Sequence, residues 1–321
     1  PDLSRETWEA PKNVGKYIGT PAAAASRRGV IYTIAPSPVD SNTIWVGTDD
    51  GLIHVTRNNG RTWKDVTPPA IGPWAKVSIM DASHFNANTA YAAVNTLRLD
   101  DLNPHLYRTS DGGATWTEIV NGIEKGANTN SIKEDPKRRG LLYAGTERSV
   151  WFSLDDGDHW HSLRLNLPGT SVRDLIVKDD DVAVGTHGRG FWILDDVSTL
   201  RQWSDKAASD AVTLFKPAMA TRVRYSMYSD TPVPPGEPMA ENPPDGAVIE
   251  YFLKNDVSGP VTIEVVGEGG RVVRRFSSTD AVVPVADAGN APWYWFRPSQ
   301  IVSTKAGLHR YVWDLHYSPP T

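Results

Sequence analysis

Thr109-Ser110-Asp111-Gly112-Gly113-Ala114-Thr115-Trp116 is the stretch on which the reading of this chain turns, because it occurs three times. The other copies are Thr56-Arg57-Asn58-Asn59-Gly60-Arg61-Thr62-Trp63 and Ser153-Leu154-Asp155-Asp156-Gly157-Asp158-His159-Trp160. The shared pattern is Ser/Thr-x-Asp/Asn-x-Gly-x-x-Trp. An Asp or Asn side chain at the third place can bond the backbone of its own turn, and the glycine tolerates positive φ. The closing Trp is a large apolar plug with one polar handle. Asn58, Asp111 and Asp155 with Trp63, Trp116 and Trp160 therefore read as structural parts of tight hairpin turns pinned to the sheet below.

A second signature precedes the turns: Ile44-Trp45-Val46-Gly47-Thr48, Leu142-Tyr143-Ala144-Gly145-Thr146 and Val182-Ala183-Val184-Gly185-Thr186, with Tyr91-Ala92-Ala93-Val94-Asn95 a weaker version. The tryptophans recur at spacings of 53 and 44 residues. Several short strands per unit at such a period predict a β-propeller. The expected fold is all-β: a partial propeller of about three and a half four-stranded blades, followed by a β-sandwich.

The repeated turn resembles the Asp-box, or BNR, repeat of sialidases, family 74 glycoside hydrolases, sortilin-type receptors and photosystem II stability factors. From Arg28 to Trp203 the chain is most similar to large exported bacterial proteins of the sortilin and family 74 type. That resemblance implies a secreted, cell-surface or periplasmic bacterial protein. It also implies that the repeated turns lie on the face opposite the ligand site. It is specific for fold and poor for function.

Composition narrows the chemistry. The 321 residues are 40% apolar with twelve Trp and carry a net charge of −5, which argues against nucleic acid or anionic membrane as partner. No apolar run is long enough for a membrane span. The absence of cysteine excludes disulfides, thiolate metal sites and cysteine nucleophiles. The histidines are scattered, and His159-x-His161 reads as a solvent-facing strand, so no metal site is expected. Gly185 to Gly190 lacks the Lys-Ser/Thr of a P-loop, so no phosphate site and no cofactor is expected.

The chain divides into a connecting segment 1–28, propeller blades 29–203, a polar linker 204–211 and a sandwich 212–321. Blades are expected over 30–67, 76–120 and 129–165. A fourth unit from Val172 to Leu194 has no repeated turn after it, so a strand from elsewhere is expected to complete it. An open set of blades leaves strand edges exposed. Residues 1–203 therefore read as the last part of a larger propeller, with the remaining blades upstream or in another chain. In the C-terminal part, strands are expected at 212–224 around Pro217, 247–253, 261–266, 272–276, 293–296 and 307–315. Val261 to Val265 and Gly307 to Leu315 resemble Ig-like or fibronectin type III-like modules, and further strands are expected beyond Thr321.

The ligand face implied by the resemblance consists of the turns between second and third strands and the links between blades. These contain the carboxylates Asp49, Asp50, Asp100, Asp101 and Glu147, the polar groups Arg98, His105, Arg148, His187 and Arg189, and the aromatic plate Trp74. Acids, basic groups and a plate suit a glycan, peptide or protein ligand. The function expected is an exported scaffold that binds such a ligand and is not catalytic alone. The alternative is a glycoside hydrolase, family 74-like or sialidase-like, with two of the carboxylates facing each other across the bond. No arginine triad of the sialidase kind is identifiable.

Overall fold

The computed structural model describes residues 2–5, 29–223, 243–282 and 299–318. The chain forms two compact units, 1–194 and 195–321.

The first unit is an arc of β-propeller blades. Blade one comprises β1 (Ile31–Pro36), β2 (Ile44–Thr48), β3 (Ile53–Thr56) and β4 (Lys64–Asp65). Blade two comprises β5 (Lys76–Ala82), β6 (Ala90–Asn95), β7 (Leu106–Thr109) and β8 (Thr117–Glu118). Blade three comprises β9 (Thr129–Glu134), β10 (Leu142–Thr146), β11 (Val150–Ser153) and β12 (His161–Ser162). Each is an antiparallel sheet in chain order. Blade four has β13 (Val172–Lys178), β14 (Asp181–Thr186) and β15 (Phe191–Leu194), three strands among the described residues. The innermost strands pack in succession, β1 on β5, β5 on β9 and β9 on β13. Among the described residues nothing covers the two ends of the arc: Ile31, Tyr32 and Ile34 of β1 are exposed, as are Ile176, Phe191 and Ile193 of blade four.

Close approach of blades explains the glycine in the second-strand signature. A Cβ on Gly47 would lie 2.3 Å from Val77 in the next blade, and one on Gly145 would lie 2.7 Å from Val172. Register aligns Gly47, Gly145 and Ala93, since each is paired to the first residue of its third strand. The same register puts Trp45, Tyr91 and Tyr143 at one position, all fully buried between blades.

The three repeated turns share one hydrogen-bond network. The hydroxyl of Thr56, Thr109 or Ser153 accepts the N–H of the residue two on and of the glycine four on. One oxygen of Asn58, Asp111 or Asp155 accepts the N–H four residues later, at 2.9 Å in every copy. The side chain of that later residue, Thr62, Thr115 or His159, bonds the other atom of the amide or carboxylate. In blade four Leu194 stands where the hydroxyl belongs, being paired to Val182 as Thr56 is to Ile44. Without it the turn has no acceptor to form around, and no fourth strand follows.

Hydrogen bonds from Thr115, first from its hydroxyl, hold the Asp111 carboxyl down at about 2. Because that value lies below the unfolded one, the stabilisation is present above about pH 4 and is lost as pH falls through about 2. Asp111→Asn should melt within about 2 °C of the parent near neutral pH, since Asn58 already serves in blade one, whereas Asp111→Ala should melt several degrees lower. Thermal melts of the two variants check this. Equal losses would mean that the carboxylate charge, and not the turn geometry, matters.

Burial of the three turn tryptophans is graded, although their equivalent places in the repeat predict that all three are mostly buried. Trp160 is 3% exposed, and Trp63 and Trp116 are half-buried. The Trp116 indole N–H donates to Val66 O and that of Trp160 to Ile119 O, each a carbonyl of the preceding blade. Trp63 donates only to Gly60 of its own turn.

The second unit begins earlier than the sequence suggested. Residues 195–203, placed by sequence within the blade segment 29–203, fall in it and contain α1 (Ser198–Gln202). The expected polar linker holds α2 (Asp205–Ser209), whose N-cap Ser204 accepts the N–H of Ala207. β16 (Val212–Leu214), β17 (Ala247–Leu253) and β20 (Gly307–Trp313) make one sheet, and β18 (Thr262–Val266) with β19 (Val272–Ser277) make the other. Tyr251, Leu253, Val302 and Tyr311 bury a core against Ile263 and Phe276 of the second sheet, giving a small β-sandwich. The expected strand pair over 212–224 is a single strand, because nothing from Phe215 to Val223 joins a sheet. The strand expected at 293–296 lies outside the described residues.

Candidate functional site

Antiparallel order brings the second-to-third-strand turns and the links between blades to one end of the strands, opposite the repeated turns. The residues singled out from sequence on this loop face fall into three groups.

The first group lies on blade one and its link. Asp50 is 1% exposed, and its carboxylate accepts the Thr48 hydroxyl and the Arg5 N–H. Arg5 also donates to the carbonyls of Asp50 and Gly51, a contact that no periodicity in the sequence announced. Asp50 is thus a buried brace and not part of a solvated face. Asp49 accepts the Val30 N–H and lies 3.7 Å from Arg98. Arg98 donates to the Trp74 carbonyl and stands over the Trp74 ring at 5.3 Å. Trp74 itself is half-buried with φ of +69°, a left-handed conformation that is strained for a bulky side chain. Its N–H is held by the Asp50 carbonyl, so the buried brace also fixes the plate.

The second group is the blade-two insertion. Asp100 is an exposed, left-handed residue closing the 3₁₀ turn Leu97–Leu99. His105 bridges two carboxylates, Asp101 at 2.8 Å and Glu118 at 2.9 Å. The Asp101 carboxyl is held below its ordinary value by the backbone of Asn103 and by His105, against the opposing effect of burial. His105 and Asp101 therefore brace the insertion.

The third group sits on blades three and four. Glu147 accepts from Asn130 at 3.0 Å and from Arg173 at 3.0 Å. Asn130 in turn accepts from Asn95 at 2.7 Å. This chain of Asn95, Asn130, Glu147 and Arg173 runs across three successive blades beside the innermost strands. Sequence reasoning singled out only Glu147 of the four. Arg148 is exposed, 3.9 Å from Glu124, and His187 and Arg189 are exposed in the blade-four turn. Among the described contacts, no two of Asp49, Asp50, Asp100, Asp101 and Glu147 meet.

A second polar cluster, missed from sequence, lies at the opposite end of the strands between blades two and three. Glu134 is 2% exposed and accepts the His84 N–H at 2.8 Å. The Tyr91 hydroxyl lies 3.2 Å from Glu134 and 2.6 Å from Asp156. Asp81, also buried, accepts from Lys133 at 3.1 Å and from the Glu134 N–H at 2.8 Å. Burial pushes the carboxyls of both Glu134 and Asp81 up. Both sit at the ends of innermost strands, where the sequence alternation reads only as strand. No group of three or more metal-ligating side chains with metal-site geometry occurs among the described residues.

No protein-family model and no curated protein matches the chain. Solved structures do. A GH74 enzyme from Niastella koreensis is 14% identical over 53% of this chain and 29% of its own, with a TM-score of 0.43. The GH74 xyloglucanase from Xanthomonas campestris is 13% identical over 69% of this chain and 35% of its own, TM-score 0.42. YCF48 bound to D1 peptide is 17% identical over 52% of this chain and 50% of its own, TM-score 0.41. The chain spans half or less of the length of each of these proteins. At such scores the likeness carries no argument about activity or ligand.

Proposed function

We propose that this chain is a propeller scaffold, part of a larger exported bacterial protein of the Asp-box type. It binds a protein, peptide or glycan on its loop face and is not catalytic alone. Further propeller blades complete the arc on its open sides. The observation that carries this reading is the state of the loop-face side chains. Asp50, Asp101 and Glu147 are taken up by partners of their own, while the Trp74 plate is held rigidly in a strained backbone and Arg148, His187 and Arg189 stand in solvent. Rigid plates with polar groups around them recognise ligands. Glycoside hydrolysis instead needs two carboxyl groups facing one bond.

The test uses the plate. Trp74→Gly suits the positive φ and should leave the fold intact. On a glycan array and a panel of immobilised peptides it should lose affinity for whatever the parent binds by about tenfold or more, with an unchanged or higher melting temperature. Equal binding by the variant would sink the loop-face assignment. Sugar release by the parent from β-glucans or sialosides would favour the hydrolase.

A further inference from the structure

The seam between blades three and four lacks a piece that the other two seams contain. In the first, Trp116 stands edge-on to Trp45 with its N–H on Val66 O. In the second, Trp160 is buried with its N–H on Ile119 O. Register identifies the corresponding place in the third. Val66, Ile119 and Leu163 each donate their N–H to the first residue of their own third strand, at 2.9, 2.8 and 2.9 Å. Ile71, Ile123 and Leu167 each close a turn onto the carbonyl three residues back. Leu163 and Leu167 are therefore the floor that an indole covers in the other seams. Here they line an apolar groove with Val182, Val184 and Trp192.

The same place has an open backbone edge. Phe191 and Ile193 occupy the positions of Ile53 and Val55, since Phe191 pairs with Gly185 as Ile53 pairs with Gly47. In blade one those two residues hydrogen-bond and pair outward with the fourth strand. In blade four no such strand occurs among the described residues, and Phe191 is 87% exposed. An unpaired edge beside an apolar groove is the arrangement used in strand addition, where the backbone supplies affinity and the groove specificity.

We propose that this groove and the outer edge of β15 form one docking site for an extended segment of a partner polypeptide that carries a tryptophan at its head. The inference rests on the reading that further propeller blades complete the arc. The segment pairs antiparallel with Phe191 to Ile193 as a fourth strand. Its indole covers Leu163 and Leu167 and donates its N–H to Leu163 O, continuing the pattern of the two existing seams. A Val, Ile or Leu three places after the tryptophan is favoured, as Val66, Ile119 and Leu163 follow Trp63, Trp116 and Trp160 just beyond the existing fourth strands.

The probe is a synthetic peptide with the sequence of residues 109–120, titrated into the whole chain by calorimetry. It should bind at one site. Replacing its tryptophan by alanine should weaken binding by about tenfold or more, and so should Ile193→Pro in the protein. Ile193→Pro removes an outward N–H on an edge strand, where proline is tolerated, and its melting temperature checks that it folds. Trp74→Gly should bind the peptide as the parent does, which separates this site from the loop face. No binding of the peptide, or equal binding by its alanine form or by a folded Ile193→Pro, would overturn the proposal.

Discussion

Trp160→Ala is expected to destabilise the first unit by about 3–5 kcal/mol, the usual cost of emptying an aromatic core position. Its side chain is 3% exposed and packs with Tyr91, Ile119, Ile123 and Trp151 across the seam of blades two and three. The indole N–H donates to Ile119 O at 2.8 Å, so truncation also leaves a seam carbonyl unsatisfied. Trp63→Ala is the matched control. The same residue in the same turn is half-buried and bonds only Gly60, so the loss should be about 1 kcal/mol. Guanidinium unfolding of the whole chain, followed by circular dichroism, reads both midpoints. Equal losses would show that the tryptophan serves its own turn and does not bind blade to blade.

Stability should also fall as pH rises from about 4.5, and Glu134→Gln should remove part of that fall, the rest belonging to Asp81, which burial also raises. The Tyr91 hydroxyl has one proton but faces two carboxyl oxygens, on Glu134 and Asp156. Both contacts attract only when one carboxyl is protonated. Glu134 is the buried one, and burial raises it, while Asp156 is held by Arg108 at 3.1 Å. Ser83, His84 and Tyr91 bond Glu134 and limit the rise, and Asp81 with Lys133 packs beside it. A carboxyl raised by folding stabilises below its unfolded value, and that contribution is lost as pH climbs through the folded one. Glutamine keeps the acceptor for His84 and adds a donor toward Tyr91, without a charge. At pH 8 it should therefore gain about 1–3 kcal/mol over the parent, the range for relieving an unmet buried polar contact. Chemical unfolding of both proteins between pH 5 and pH 8 decides. Parallel pH profiles would show that Glu134 is not the group that carries the proton. Below about pH 4 the trend reverses for both, because Asp111 and Asp155, held low by the hydrogen bonds of their turns, lose their contribution on protonation.

The repeated turn was legible down to its atoms. A hydroxyl, an amide or carboxylate oxygen two residues on and a glycine four on satisfy one another locally, so their spacing in the chain is their geometry in space. The missing strand of blade four was legible for the same reason, since Leu194 puts no hydroxyl where the turn begins. The loop-face residues were legible as a set by their place between strands, but not in their partners. Nothing in the spacing of Asp49, Asp50 and Asp101 separates the buried brace at Asp50 from the His105-bridged Asp101.

In the first unit the strands, the turns and the four-unit rhythm could be read from the chain, because each rests on contacts within about ten residues and on the two-residue period of a half-buried strand. Packing of the blades settled which groups meet across them: Trp116 with Val66, Trp160 with Ile119, Tyr91 with Glu134 and Asp156, and Asn130 with Asn95 and Val172. The pairs that cross a seam join residues a full repeat apart, and their closeness depends on how one twisted sheet packs on the next. That packing is a property of whole faces, so no local pattern encodes which polar atom it buries against which.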